Sequence, residues 1–545
     1  MPNGPRAPCI ASAVPVHRQC TFRGEPQPMD QSTGWTGETA CTLQAALRLT
    51  NEAFAEHLGV AVRTVAAWHQ RPAMKPKLDI QQALDTALRQ APEDARARFT
   101  TLTRPTPVAP APLAPDIAQR LTGDHHIGAA LDWLDWHARW DLGTARAQVA
   151  DRVTHLNVRD IRERGIRRAR VTQRDIADAL TAYYGTATRY TAHYGDNTAH
   201  TSILTTPDWL DLNVALTGPA DNITIGSGLP DDGPTLTATA ADAAVTRIAE
   251  TLALGTRITD NPLYRLTSAD ITPGRINGTF GVAPFMEYAL TLDLLEGELV
   301  DALAEGRPTT PGALPLRDAH LPTAEAVRDL PNRLCAGGVL ALTAIARPAD
   351  HRGPADYLLL IQERSGHVIN AARRLAVIPK GFHQPLTDLR GDAQLGATLL
   401  RETEEELFGR GDIDGTLGDI RTADPMHPSR LSTPLAWLLA EPDRLRMECL
   451  GFGLNLVSGN YEFPSLLVIE DEQFWADHGG SIEANWESAN LRRYSTRDPD
   501  LITELLSEVA WSNEGLFAML QALRRLNTIG GNRVNLPHIE WEISK

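Results

Sequence analysis

The chain has 545 residues, 42% of them hydrophobic and 22% charged, with a net charge of −16. That length exceeds what one hydrophobic core supports, so about two to four domains are expected, and the composition excludes disordered and membrane-like classes. No apolar run reaches the roughly 18 residues a membrane helix needs, so no membrane partner and a cytoplasmic location are expected.

Residues 1–40 carry scattered Pro and Gly and lack the apolar segment of a signal peptide. They read as a disordered leader, and Met29 is an alternative start because patterned sequence begins only near Leu43. The five cysteines, Cys9, Cys20, Cys41, Cys335 and Cys449, form no C-x-x-C pair, which favours reduced thiols. Cys9, His17 and Cys20 are poorly spaced for a metal. Up to Pro115 the chain holds 12 basic and 9 acidic residues, against 40 and 59 in the remainder. A mildly basic front on an acidic body suits a DNA-contacting head.

Leu43 to Arg71 reads LQAALRLTNEAFAEHLGVAVRTVAAWHQR. Phe54, Ala55, Leu58, Val60, Val65 and Trp68 fall at helical spacing, interrupted by Gly59, whose freedom at positive φ permits a tight turn between two helices. Thr50 stands at an N-cap position. The segment resembles the helix-turn-helix of the Cro/phage-repressor type. That resemblance implies that the second helix lies in the major groove of double-stranded DNA, with Val62, Arg63, Thr64 and Ala67 facing the bases. Arg63 is then placed to pair with guanine, and Thr50 and Asn51 to contact phosphate. Ala61 departs from the pattern where a capping Ser is usual. A helical hairpin used only for packing is the alternative. The module is expected over residues 41–100, and the Pro/Ala-rich stretch 101–115 as a semi-rigid linker.

Residues 116–330 form a middle region, expected to be mixed α/β, without a catalytic signature. Trp133, Trp136 and Trp140 read as one aromatic helix stripe in a core, and His125, His126 and His137 lack metal-ligand spacing. Arg159, Arg162, Arg164, Arg167, Arg168, Arg170 and Arg174 crowd one segment, opposed by Asp160 and Glu163. They read either as a phosphate-contacting surface or, preferred here, as a basic helix face docked on the acidic body. Phe285 to Gly306 reads as one long amphipathic helix for packing or dimerisation.

From residue 331 onward the pattern changes to strands, GGVLALTAIARP, DYLLLIQERSG and RLAVIPKGF, followed by the helix AQLGATLLRETEEELFGR. On that helix Glu402, Glu405 and Glu406 share one face, where like charges repel by about 0.2–0.5 kcal/mol per pair. Such a face invites a hard cation such as Mg²⁺ or is simply solvated. The order of strand, Pro-Lys-Gly turn and R-E-x-x-E-E helix resembles the Nudix family, hydrolases of nucleoside diphosphates linked to another moiety. The resemblance spans Gly337 to Ile469 and implies an α+β fold. It further implies that Glu402, Glu405 and Glu406 bind Mg²⁺, that Arg401 orients Glu402, and that these four residues are catalytic. Ala393 stands where the family has its upstream glutamate, with Asp392 as a stand-in. The Gly381-to-Arg401 loop is longer, Thr403 replaces an apolar residue, and the terminal glycine is displaced to Gly409. Downstream, a hairpin turning at Ser458-Gly459-Asn460 offers Asn455, Tyr461 and Glu462 as substrate contacts. Leu516, Met519, Leu520, Leu523 and Leu526 share a helix face between a Ser512/Asn513 cap and a Gly530-Gly531 stop.

The sequence thus reads as a multidomain transcriptional regulator: an all-α DNA-binding domain, a mixed α/β middle and a Nudix-like α+β domain over 331–545. A homodimer binds DNA, and the degenerate Nudix-like domain senses a nucleotide-derived small molecule. A Mg²⁺-dependent Nudix hydrolase and a protein-interaction scaffold are the alternatives.

Overall fold

The computed structural model describes residues 35–103, 113–185, 187–217, 221–226, 233, 235–256, 258–351, 353–365, 373–410, 424–479, 482 and 488–544. They fall into two compact units, one within Met1–Ala111 and one within Pro112–Lys545.

Among the described residues the first unit contains five helices: α1 (Gly37–Leu47), α2 (Asn51–Leu58), α3 (Val62–Gln70), α4 (Leu78–Gln90) and α5 (Glu93–Thr103). Thr36 and Thr39 form a reciprocal capping box that starts α1 inside the stretch expected to be leader. Ala40 and Leu43, one turn apart, are fully buried and hold it there. Cys9, His17, Cys20 and Met29 lie outside the described residues. Thr50 caps α2, and Gly59 at φ +69° ends it, so α3 departs in a new direction. The core contains Leu43, Phe54, Ala55, Val65, Trp68 and Leu84, with Phe54 and Trp68 edge to face at 6.4 Å. Helix α5 runs on to Thr103, into the expected linker.

The second unit opens with α6 (Pro115–Gly123), α7 (His125–His137), α8 (Thr144–His155), α9 (Val158–Arg168) and α10 (Gln173–Tyr184). Strands β1 (Arg189–Tyr194), β2 (Asn197–Leu204), β3 (Leu210–Ala215) and β4 (Asn222–Ile225) precede α11 (Ala238–Leu254). The hairpin β5 (Pro262–Thr272) and β6 (Arg275–Pro284) leads to α12 (Phe285–Ala289), α13 (Leu294–Ala304), α14 (Pro315–His320) and α15 (Ala324–Arg328). Strands β7 (Gly337–Arg347), β8 (Asp356–Arg364), β9 (Leu375–Val377) and β10 (Lys380–Phe382) then precede α16 (Leu395–Glu406) and α17 (Thr433–Leu439). The chain closes with β11 (Leu445–Gly451), β12 (Gly453–Asn455), β13 (Tyr461–Ile469), α18 (Glu472–His478), β14 (Ser488–Ser495), α19 (Pro499–Leu506), α20 (Asn513–Ile529) and β15 (Ile539–Ser544).

One large mixed sheet runs β14-β8-β7-β13-β12-β2-β1-β15, with β9 beside β8, β10 beside β7, and β11 between β13 and β3. The boundary expected at residue 330 is therefore not structural. Strands β1 to β3 of the middle region pair with strands from the far end of the chain, because β2 meets β12 and β3 meets β11. Strand β7 pairs in parallel with β13 and is buried on both faces, which explains its unbroken apolar run. Val339 and Ala341 join one core, and Leu340 and Leu342 join the other, beneath α20. A separate sheet, β4-β6-β5, lies in the same unit.

Two helix expectations are corrected. The aromatic stripe is not one face: Trp133 and Trp140 pack on the core, but Trp136, still within α7, is 75% exposed, and Trp140 lies beyond the helix end at His137. The stretch Phe285 to Gly306 is two helices, interrupted where buried Asp293 pairs with Arg247 of α11 at 2.5 Å. Its apolar residues Leu295 and Leu299 are fully buried within the unit. In α20 the five predicted apolar residues are buried, and so are Asn513, Glu514 and Gln521. The helix is sunk in the protein rather than lying on one face.

Candidate functional site

Each unit carries one candidate site. In the first, Val65 and Trp68 pin α3 to its neighbours and leave its opening turn outward. Val62 and Arg63 are exposed, and Thr64 and Ala67 half-buried. No side chain caps this helix, because Ala61 has nothing to offer. The two expected phosphate contacts have internal duties. The Thr50 hydroxyl accepts from the Ala53 amide at 3.2 Å, and the Asn51 side-chain oxygen accepts from Gln44 at 2.8 Å. Gln44 also meets His69 at 2.9 Å, so it braces α1 against both α2 and α3. Sequence reasoning missed Gln44, and it missed Arg71, Lys75 and Lys77, exposed cations just beyond α3; their spacing on the linear chain was the available signal.

In the second unit, α16 packs on β7 and β10. A Cβ at Gly381 would collide with the Glu402 carboxyl group, so the glycine leaves room for that side chain against β10. Arg401 holds Glu402 at 2.7 Å and also donates to the carbonyls of Phe382 (3.0 Å) and Gln384 (3.3 Å). The guanidinium thus ties the helix to the strand and fixes the carboxylate. Glu406 is fully buried and accepts from the Lys380 amide at 2.7 Å. Glu405 is buried as well. Glu404, not singled out from sequence, is fully buried and bound by Ser432 (2.6 Å from its hydroxyl) and Arg410 (3.1 Å).

The acidic face of α16 is therefore interior, which excludes the solvated alternative. Among the described residues, no three His, Cys, Asp or Glu side chains form a group that could hold a metal ion. Arg401 holds one oxygen of Glu402, and the Lys380 amide holds one oxygen of Glu406. Asp392, the stand-in for the missing glutamate, instead folds the longer loop: one of its oxygens accepts from the amides of Leu386, Thr387 and Asp388 at 2.7–3.0 Å.

Two of the downstream candidates, Asn455 and Glu462, lie on the other side of the sheet from α16, whereas Tyr461 shares the core with that helix. Lys380 and Gly381 are consecutive in β10 and point to opposite faces. Gly381 faces Glu402, whereas the Lys380 ammonium binds Glu514 of α20 at 2.6 Å. Asn455 bridges Glu514 and Glu462, donating to each at 3.3 Å. Burial, then the Glu514 charge, pushes Glu462 up to about 8, while Lys380 keeps Glu514 below the usual carboxylate range despite its burial. Glu514, absent from the sequence reading, completes this cluster. Tyr461 is fully buried and meets His383 at 3.2 Å among Tyr264, Phe280 and Phe463. Burial, then the Arg401 charge, drives His383 down to about 3, so it is neutral. The structure brings Asn455 and Glu462 together, away from Glu402, and places Tyr461 in the core. No protein-family model matches the chain, and no curated protein is similar to it. No helix among the described residues is long and apolar enough to cross a membrane.

Proposed function

We propose that this protein is a transcriptional regulator that binds double-stranded DNA through α2 and α3 as a helix-turn-helix. The supporting observation is the opening turn of α3: Val62 and Arg63 stand exposed on a helix whose opposite side is locked by Val65 and Trp68. A rigid helix with an outward, uncapped start and flanking cations fits major-groove docking, with Arg63 reading a base and Arg71, Lys75 and Lys77 near phosphate. One such module buries little DNA surface, so the protein acts as a homodimer. Selection from random duplexes should enrich a defined, salt-sensitive sequence. Arg63→Ala should relax preference at one base pair and weaken the best site by about 1–3 kcal/mol. An absence of enrichment refutes the reading.

In this reading the Nudix-like region, Gly337 to Ile469, senses a nucleotide-derived metabolite without cleaving it. Its support is the internal employment of Glu402 and Glu406 by Arg401 and Lys380. Hydrolysis is a second reading, favoured by one observation: Arg401 positions Glu402 in the way the Nudix resemblance implies. A panel of nucleoside diphosphate conjugates with Mg²⁺ separates the two. The sensor predicts a raised melting temperature without turnover; turnover abolished by Glu405→Gln/Glu406→Gln establishes the hydrolase.

A further inference from the structure

None of the residues of α9 is buried. Its inward side is docked by charge: Arg164 binds Glu250 of α11 at 2.6 Å, and Arg168 binds Asp301 of α13 at 2.5 Å. At 100° per residue, Arg159, Arg162, Glu163 and Ile166 fall on the opposite side and Arg167 on its flank, and all five are exposed. Arg170, in the turn that follows, and Arg174, at the start of α10, are exposed too. Arg159 pairs with Glu163 at 2.8 Å, and Arg174 lies 4.0 Å from Asp178. The remaining carboxylates serve as caps: Asp160 accepts from Asn157, and Asp175 accepts from Thr172. Arg162, Arg167 and Arg170 make no ion pair among the described residues.

The preferred sequence reading, a basic helix docked on an acidic body, thus accounts for Arg164 and Arg168 and leaves Arg162, Arg167 and Arg170 without a duty. We propose that the outward face of α9 and its turn into α10 form a second surface for the phosphates of double-stranded DNA. This rests on the reading of α3 as a DNA-binding helix and adds a site to it. Clustered like charges repel, and a polyanion relieves that cost. Every cation from 159 to 174 is arginine, whose planar fork matches phosphate oxygens bidentately. Arg168 lies nine positions after Arg159 on the helix, roughly 14 Å at helical rise, and Arg170 follows in the turn, enough to meet successive phosphates. The surface carries no Asn or Gln positioned for base edges beyond the capping Asn157, so it adds affinity and no sequence preference.

The test uses the full chain, the selected duplex and a random-sequence duplex, with binding followed across salt concentrations. Arg162→Gln/Arg167→Gln/Arg170→Gln should weaken binding to both duplexes by the same factor. It should also make the slope of log K against log salt shallower by about 2.7, at about 0.9 for each phosphate no longer neutralised. The corresponding triple Lys variant should keep the slope, and both variants should melt with the parent because these side chains are unpacked. An unchanged slope in the Gln variant, with binding still dependent on Arg63, overturns this second surface alone. A parent that binds neither duplex overturns the surface and the regulator reading together. Parent binding to phosphatidylserine vesicles that the Gln variant loses, with DNA binding unchanged, assigns the patch to a membrane and overturns the proposal.

Discussion

Arg401 joins three carbonyl or carboxylate groups from α16, β10 and the following loop, so Arg401→Met is a direct probe of what holds this region. The substitution keeps most of the volume and leaves Glu402, 8% exposed, without its guanidinium. Breaking a buried ion pair from one side costs about 3–5 kcal/mol, most of it the stranded charge. For a cooperatively melting unit of roughly 430 residues, at about 2.1 cal/mol/K per residue, that lowers the melting temperature by about 3–5 °C. Glu402→Gln added to Arg401→Met removes the stranded charge. The double variant should therefore recover about 2 kcal/mol relative to the sum of the single changes, read from a double-mutant cycle in urea. Additive effects, or an Arg401→Met shift below about 1 °C, would refute the clamp. The same cycle is informative about chemistry, since a carboxylate committed to Arg401 for stability is costly to divert to a cation.

Two further outcomes follow from buried charge. Glu462 sits near 8 in the folded protein against 4.5 ordinarily, so across that window the folded state keeps a proton that the unfolded chain has lost. Its contribution to stability is present at low pH and drains away as pH rises from about 4.5 to 8. Glu462→Gln should flatten the pH dependence of urea midpoints across this range, gaining on the parent as pH increases; parallel curves would show that the cluster is differently protonated. Arg317 is fully buried and donates to Leu456 and Val457 (both 2.6 Å), Tyr184 (3.0 Å) and Leu295 (3.3 Å). Arg317→Met strands those acceptors and should cost at least about 3 kcal/mol by thermal melting. A smaller loss would mean that water replaces the guanidinium.

Local signals carried a good deal of this molecule. Thr50 and Gly59 bracket α2 because a hydroxyl cap and a positive-φ glycine act within one turn of chain. The Ser458-Gly459-Asn460 hairpin and the Ser512-to-Gly530 limits of α20 were legible for the same reason. The apolar runs of β7 and β8 announced buried strands, though not their partners. Periodicity failed over Phe285 to Gly306, where the chain turns between Leu290 and Asp293 and the buried Asp293 meets Arg247 of α11.

The site divides along the same line. The sequence by itself determined that Arg401, Glu402, Glu405 and Glu406 share a helix and that Val62 and Arg63 open another, since helical spacing needs only neighbours. Only the tertiary structure decided that the α16 carboxylates face inward, that Asp392 folds a loop, and that Glu514 completes the cluster with Glu462. Those outcomes depend on strands from residues 189 to 215 pairing with strands beyond 445, and on Gly381 admitting Glu402. Burial is set by what arrives from distant parts of the chain, and no local pattern encodes which carboxylate will meet an arginine and which will meet water.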